Sequence, residues 1–370
     1  MFRELGDRVD EARALSQLAA THAAMGLLRD AVHECETALR IARQTRDVRA
    51  LIMILNNAAY AVYRLTGGLF RAQRCVSEAL RLVSEAGNIE NSAPYEDTMA
   101  AVLLDPGRTQ EALRWAERGK ARYLASGSRT WIGIDVHYRL GSILATLGQP
   151  GQALRCFQRA QRHLGRNSDP VSDLLIATAM ASAFLELGNL KEASEYEKHI
   201  SNLLRRVDGV ERIQDVYWTQ FCVLKRAGKG GAASRALRRA VTVTVRQASM
   251  LKRPMRKRFL AIPLNSRILR EFWNSNRSLG IPATTDIDVE EIVSTLAERL
   301  GSNRPDLASP IESFGDSLIA TRRRVVLGLV QQGRVRQQEL ASRLGVSVRT
   351  VRNDIIELRK QGLLEIPSTN

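Results

Sequence analysis

A glycine followed five residues later by an alanine recurs along the first two thirds of the chain at a nearly constant interval. The pairs are Gly26/Ala31, Gly67/Ala72, Gly107/Ala112, Gly148/Ala153, Gly188/Ala193 and Gly228/Ala233, and successive glycines stand 41, 40, 41, 40 and 40 residues apart. A fixed period of this size marks a repeat architecture rather than a single wrapped core. Seven positions past each alanine a second small residue follows, at Ala38, Ala79, Gly119, Ala160 and Ala240, with Ile200 as the departure. Four residues before each glycine stands a larger side chain: His22, Tyr63, Leu103, Leu144, Phe184 and Leu224.

The unit reads as a helical hairpin. Glycine supplies the left-handed residue that ends the first helix, and small residues on the second helix let the two backbones approach closely. Composition agrees: 5% aromatic residues, 44% hydrophobic residues and little Val/Ile/Thr alternation point to a mostly helical chain with enough apolar side chain for a sizeable core. The expected fold is therefore all-α, a superhelical solenoid of about six helical hairpins. Cys35, Cys75, Cys156 and Cys222 are far apart in helical patterns and form no Cys-x-x-Cys pair. They read as small buried hydrophobes rather than metal ligands or disulfides. The N-terminal "MFRELGDRVDEARAL" is charged and amphipathic, unlike a secretory signal, and the apolar run at 174–188 is too short and too polar to span a bilayer. A cytoplasmic protein without membrane contact is expected.

The spacing of small residues resembles the tetratricopeptide repeat, whose usual unit is shorter by about six residues. Longer units of this kind look like those in the sensor arms of large bacterial regulators of the MalT-like, signal-transducing ATPase group. The resemblance covers roughly residues 1–250 and implies a protein, peptide or small-molecule effector on the concave face of the solenoid. "FRELGD" at 2–7 aligns with "ARQTRD" at 42–47, the tail that closes the first full repeat. The chain thus reads as opening inside a preceding repeat, as a fragment or short relative of a longer protein with more repeats or a nucleotide-binding domain upstream.

Net charge is +16 and unevenly placed. Residues 201–260 hold 15 Lys/Arg against three acids, and residues 317–370 hold ten against four. A positive field confined to two segments calls for an anionic polymer. The block at 201–260 has three readings: contact with the DNA backbone, contact with an acidic protein face, or simple solvation. Beyond the sixth hairpin the period stops, and residues 251–316 read as a linker with short helices, interrupted by Pro254, Pro263, Pro282, Pro305 and Pro310. One short helix is expected at 267–274. A second, "DVEEIVSTLAERLG", has Val289, Ile292, Val293, Leu296 and Leu300 on one face, for docking on the solenoid end or for a dimer contact.

Residues 317–370 change to three closely spaced helices: "SLIATRRRVVLGLVQQG", "RQQELASRLG" and "VRTVRNDIIELRKQG", the third capped by Ser347. Leu340, Ala341, Leu344, Gly345, Val346 and Val351 fit, in order, the offsets that wedge two helices across a tight turn. The segment "ELASRLGVSVRTVRNDIIELRKQGLLEI" resembles the DeoR-type helix-turn-helix. Asn353 stands where that family carries the second arginine of Arg-Arg-Asp, and "EIPSTN" leaves room for one strand of a wing at most. The resemblance implies a small winged helix-turn-helix domain and double-stranded DNA as partner, bound as a homodimer on paired half-sites.

Helical phase assigns the roles. Val351, Ile355 and Leu358 turn inward, leaving Arg349 and Asn353 outward, flanked by Thr350 and Arg352. Arginine matches guanine O6/N7 and asparagine matches adenine N6/N7, so these four are the base-reading candidates. Ser347, Arg323, Arg324 and Arg343 are the phosphate candidates, which position the domain without reading sequence. The competing reading is that such arginines are merely solvated, on a domain that makes only protein contacts at the end of a repeat scaffold. "AGKGGAAS" at 227–234 lacks the phosphate-loop order and follows no strand, and Gly228 occupies the hairpin turn. The five histidines are scattered without metal or catalytic spacing. No enzyme activity and no cofactor are expected.

Overall fold

The computed structural model describes residues 8–127, 132–165, 169–207, 209–275 and residue 355. Every regular element among them is helical. Six antiparallel hairpins follow one another: α1 (Arg8–Ala24) with α2 (Leu28–Gln44); α3 (Val48–Asn57), continued by a π-helical turn Ala58–Tyr63, with α4 (Leu69–Glu85); α5 (Ala93–Leu104) with α6 (Thr109–Ala125); α7 (Ile132–Thr146) with α8 (Pro150–Leu164); α9 (Pro170–Glu186) with α10 (Leu190–Leu203); and α11 (Ile213–Arg226) with α12 (Gly230–Met250). Helices of 14 to 21 residues in most of these hairpins absorb the extra length of the repeat.

The turn chemistry matches the expectation at all six positions. Gly26, Gly67, Gly107, Gly148, Gly188 and Gly228 have φ between +72° and +83°, the left-handed conformation that closes a helix without a Cβ clash. In each turn the residue after the glycine donates its N–H to the carbonyl four residues before the glycine: Leu27 to His22 at 2.8 Å, Gly68 to Tyr63 at 2.7 Å, Arg108 to Leu103 at 3.0 Å, and Gln149, Asn189 and Lys229 to Leu144, Phe184 and Leu224 at 2.9 Å. The recurring large residue therefore lies in the last turn of the first helix, and its carbonyl is the one that the turn satisfies.

Small residues sit where the helices cross. Ala31, Ala72, Ala112, Ala153 and Ala193 are fully buried, as are Ala38, Ala79, Ala160 and Ala240. At Gly119 a Cβ would stand 3.3 Å from the Ala93 carbonyl oxygen and 3.4 Å from Cβ of Glu96, so α6 lies closer to α5 than a larger side chain permits. Ile200, the departure from the small-residue pattern, is also fully buried, packed with Leu174, Ala177 and Val216. Its bulk fills space rather than pointing outward.

Two further helices, α13 (Arg253–Leu260) and α14 (Pro263–Ser275), follow the sixth hairpin. The sequence pattern predicts one helix here, at 267–274, with Pro254 and Pro263 as breaks. Both prolines instead occupy first helical turns, where the missing N–H costs nothing. Phe259, Leu260, Ile268 and Leu269 pack against Phe221, Leu237 and Val241 of the last hairpin, and Leu28 from α2 joins the same cluster.

Leu28 is one of several contacts by which the array returns on itself. Arg29 Nε donates to the Met250 carbonyl at 3.3 Å. A Cβ on Gly67 would lie 2.6 Å from the carbonyl carbon of Arg258, so the turn of the second hairpin rests directly on the backbone of α13. A Cβ on Gly209 would lie 3.3 Å from Cγ of the Met25 side chain. The first two hairpins thus meet the last one and the two helices behind it.

The basic block at 201–260 separates into two populations. Arg212, Lys225 and Arg256 serve the fold: Arg212 pairs with Asp105 and Asp215, Lys225 with Glu271, and Arg256 donates to the Ala248 and Leu251 carbonyls. Arg235, Arg238, Arg239 and Arg246 are exposed on α12, Lys257 and Arg258 on α13, and Lys252 just ahead of α13. Cys35, Cys75 and Cys156 are buried and Cys222 is half-buried, all as free thiols. Among the described residues no helix is long and apolar enough to cross a membrane. The chain divides into two compact units, Met1–Gly301 and Ser302–Asn370.

Candidate functional site

The DNA-reading candidates Arg349, Thr350, Arg352 and Asn353, the phosphate candidates Ser347, Arg323, Arg324 and Arg343, and the amphipathic helix at 288–301 lie outside the described residues. Within the predicted recognition helix Ile355 is described: it is helical and buried, in keeping with the inward phase assigned to it.

The solenoid holds a second candidate, absent from the sequence reading, where charged side chains of non-adjacent hairpins meet. Arg64, at the end of the π turn, donates to Glu211 at 3.1 Å and to Asp105 at 3.5 Å. Arg212 pairs with Asp105 at 2.7 Å and with Asp215 at 3.0 Å. Arg139 of α7 reaches Asp97 of α5 at 3.5 Å and the Tyr60 hydroxyl at 3.3 Å. These partners come from the second, third, fourth and sixth hairpins. The cluster thus ties together hairpins far apart in sequence, as the closing contacts of the array also do.

Local backbone features aim these groups. Ala58–Tyr63 is a π turn, a rare insertion that re-aims side chains and recurs at functional sites. It carries Tyr60, whose ring lies under the Arg64 guanidinium at 4.4 Å, with that of Arg139 at 5.6 Å. Arg212 precedes α11 at φ +55°, the one non-glycine residue with positive φ among those described. A left-handed arginine costs about 1–2 kcal/mol and is held there by its two carboxylate partners. Strain of this kind collects at sites where the surroundings over-determine one conformation.

Charges in the cluster do not balance. Arg64, Arg139 and Arg212 face Asp97, Asp105, Asp135, Glu211 and Asp215. Burial works against the Asp105 carboxylate, but Arg212 and Arg64 outweigh it and hold its carboxyl below the usual range. Burial wins at the others: it raises Asp97 against the pull of Arg139, Glu211 against Arg64 and Arg139, and Asp215 against Arg212. Asp135 is raised to about 7, by desolvation first and then by Asp97, with Arg139 opposing and Glu211 adding. Its side chain nonetheless touches solvent. Burial likewise pushes the Tyr60 phenol up to about 12.

One sequence signal pointed here. Asp135 and Asp215 both stand thirteen residues before their turn glycines, and Asp97 and Tyr138 both stand ten before theirs. Polar residues in the first helix of a hairpin, at one shared register, mark the side of the array that does not pack on its neighbours.

Comparison with known proteins supports both halves of the chain. Residues 323–365 match the DeoR-like helix-turn-helix domain, a span that contains every DNA-contact candidate named above. Residues 134–162 match the tetratricopeptide repeat, and these are the fourth hairpin with Gly148, Ala153 and Ala160. No curated protein matches the chain. Among solved structures, the crystal structure of a Rap protein complexed with Competence and Sporulation Factor aligns with a TM-score of 0.54 at 12% identity, covering 73% of this chain and 76% of that one. The Cut9–Hcn1 hetero-tetramer of APC/C aligns with a TM-score of 0.40 at 15% identity, covering 74% of this chain and 53% of that one. The chain therefore carries a tetratricopeptide-like helical-repeat domain and, at its C-terminal end, a DeoR-type helix-turn-helix.

Proposed function

We propose that this chain is a bacterial DNA-binding transcription regulator in which the helical-repeat domain, residues 1–250, takes an effector on its concave face and controls the helix-turn-helix of residues 317–370. The observation that carries it is the DeoR-type match at 323–365 on the same chain as a repeat array that gathers ionisable groups from four hairpins. A structural neighbour of the repeat domain is itself a complex with a bound factor, which agrees with an effector on this fold. The matched families are regulatory and repeat modules, which supports a non-enzymatic, cytoplasmic role. Arg349, Asn353, Thr350 and Arg352 read base edges, while Ser347, Arg323, Arg324 and Arg343 hold phosphates. Two copies on paired half-sites form the DNA-bound species, and the effector shifts the equilibrium between binding-competent and incompetent states.

DNA selected from a random pool by the purified chain, followed by affinity measurements across a salt series, tests this. A defined site with affinity falling steeply in salt is expected. Arg349→Ala and Asn353→Ala each relax site preference by roughly 10- to 100-fold, the equivalent of about 1–3 kcal/mol per bidentate contact. Arg323→Ala weakens all sequences alike and lowers the salt slope by about one. Retention of DNA unchanged by all three substitutions points instead to a repeat scaffold whose terminal domain makes only protein contacts.

A further inference from the structure

The second helix of the last hairpin carries a row of cations without counter-charges. Arg235, Arg238, Arg239, Thr242, Arg246 and Ser249 fall at i, i+3, i+4, i+7, i+11 and i+14 of α12, which places them on one stripe about 100° wide at the helical period. The four arginines and Ser249 are exposed and Thr242 is half-buried. The opposite side of the helix, with Ala236, Leu237, Ala240, Val241 and Val245, is buried in the core of the last hairpin. Packing from behind therefore holds the arginines towards solvent along the length of α12.

Elsewhere the array pairs such arginines. Arg43 of α2 meets Glu78 of α4, Arg71 of α4 meets Glu36 of α2, and Arg118 and Arg122 of α6 meet Glu96 of α5. Around α12 the sequence supplies no acid for this purpose: from Val216 to Arg270 it holds fourteen Lys/Arg and no Asp or Glu. Lys225 is paired with Glu271, whereas Arg235, Arg238, Arg239 and Arg246 make no ion pair among the described residues. Like charges three and four residues apart, as at Arg235, Arg238 and Arg239, weaken the helix that bears them. An anion spanning the row removes that repulsion.

We propose that this face of α12 holds duplex DNA by its sugar-phosphate backbone, so that the repeat domain has a DNA contact of its own. The choice of DNA among polyanions rests on the regulator reading above; the surface is defined without it. Arg235 and Arg246 stand eleven residues apart, about 16 Å of helix, a length over which a duplex presents roughly nine phosphate charges. Guanidinium forks match phosphate oxygens in a bidentate manner. The gaps in the row hold Thr242 and Ser249, short neutral side chains that leave the arginines accessible. Arg239 lies over the Tyr217 ring at 5.9 Å, which steadies one member of the row. Backbone contacts of this kind add affinity and salt dependence and leave sequence preference to the helix-turn-helix.

Three full-length chains test the face: the parent, a stripe variant Arg235→Gln/Arg238→Gln/Arg246→Gln, and a control Arg155→Gln/Arg159→Gln/Arg162→Gln. The control removes the same charge from exposed arginines of α8. The stripe variant relieves repulsion and breaks no ion pair, so it should melt no lower than the parent. Fluorescence anisotropy with a mixed-sequence duplex gives affinity across a salt series. The stripe variant should bind at least tenfold more weakly at low salt, and its slope of log affinity against log salt should fall by about 2–3, at ~0.9 per lost phosphate contact. The control should keep the parent's slope. Preference for the selected site over the mixed duplex should survive in the stripe variant and fall in Arg349→Ala/Asn353→Ala. Equal losses in stripe variant and control reduce the effect to net charge, and an unchanged slope in the stripe variant leaves the arginines merely solvated; either result overturns the proposal. Stripe-dependent binding of poly-L-glutamate that exceeds binding of the duplex at equal charge concentration assigns an acidic protein partner and also overturns it. If no site is selected but duplex binding still depends on the stripe, the regulator reading falls and this face stands. If a site is selected and the stripe is inert, the regulator stands and this face is refuted.

Discussion

Replacing Gly67 by alanine separates the closure of the array from the backbone demand shared by all six turns. Gly67 and Gly148 have nearly the same conformation, φ +74° and +72°. Alanine in that region costs about 1–2 kcal/mol at either position. The surroundings differ: nothing lies within 4 Å of a Cβ on Gly148, whereas a Cβ on Gly67 would stand 2.6 Å from C and 2.7 Å from O of Arg258 and 2.8 Å from the Phe259 nitrogen. Those are backbone atoms of α13, so no side-chain rotation relieves the overlap. Forcing them apart adds the cost of overpacking, about 1–3 kcal/mol. Gly148→Ala should therefore destabilise by ~1–2 kcal/mol and Gly67→Ala by ~2–5 kcal/mol in urea denaturation followed by circular dichroism. Where α13 yields instead of the whole fold, limited proteolysis should cut near 251–262 in the Gly67 variant and not in the Gly148 variant. Equal destabilisation of the two, with equal protease resistance, would refute the contact between the second hairpin and α13.

Further outcomes follow from the same geometry. A Cβ on Gly141 would lie 2.5 Å from Cε1 of the buried Phe157 ring, so Gly141→Ala should cost about 1–3 kcal/mol although position 141 is an ordinary helical site; a neutral melt would contradict the close α7–α8 packing. Asp135 is ordinarily ionised above pH 3.8 when unfolded, but in the fold it keeps its proton to about 7, so the native state binds the extra proton across that window. Its contribution therefore favours folding below pH 3.8 and is lost as pH rises towards 7, and Asp97, Glu211 and Asp215 act in the same direction against Asp105. Asp135→Asn should accordingly flatten the fall of melting temperature with pH between about 4 and 7; an unchanged slope would remove Asp135 from the desolvated cluster. Burial pushes the Cys35 thiol up to about 12 and those of Cys75 and Cys222 to about 11. Ellman's reagent should thus modify the native chain slowly and all four thiols after denaturation, and fast native reaction of Cys35 would argue against its burial.

Legibility in the sequence followed the range of the interaction. The six turn glycines, the small residues after them and the large residue before them were all readable, because each reports a local requirement: a left-handed residue, a tight helix crossing, a carbonyl that the turn must satisfy. Ile355 had the right phase for the same reason. Pro254 and Pro263 misled, since a proline disrupts the middle of a helix and favours its first turn, and single-sequence pattern does not separate the two cases when the helix is short. AGKGGAAS resolved correctly as a turn because Gly228 fell in register with five other glycines.

The ionic cluster escaped detection for a different physical reason. Arg64 and Glu211 are 147 residues apart, Asp105 and Arg212 are 107 apart, and Tyr60 and Arg139 are 79 apart. Whether such pairs meet depends on the small rotation between successive hairpins, summed over several of them, and no local pattern encodes that sum. From the sequence alone came the number of hairpins, the positions of their turns, their helical character and the DeoR-type module, matched at 323–365. Tertiary structure alone decided that the array returns on itself, that Gly67 rests on α13, and that four carboxylates from distant hairpins share three arginines. The former are fixed within one turn of backbone; the latter arise only when accumulated superhelical twist carries distant hairpins into contact.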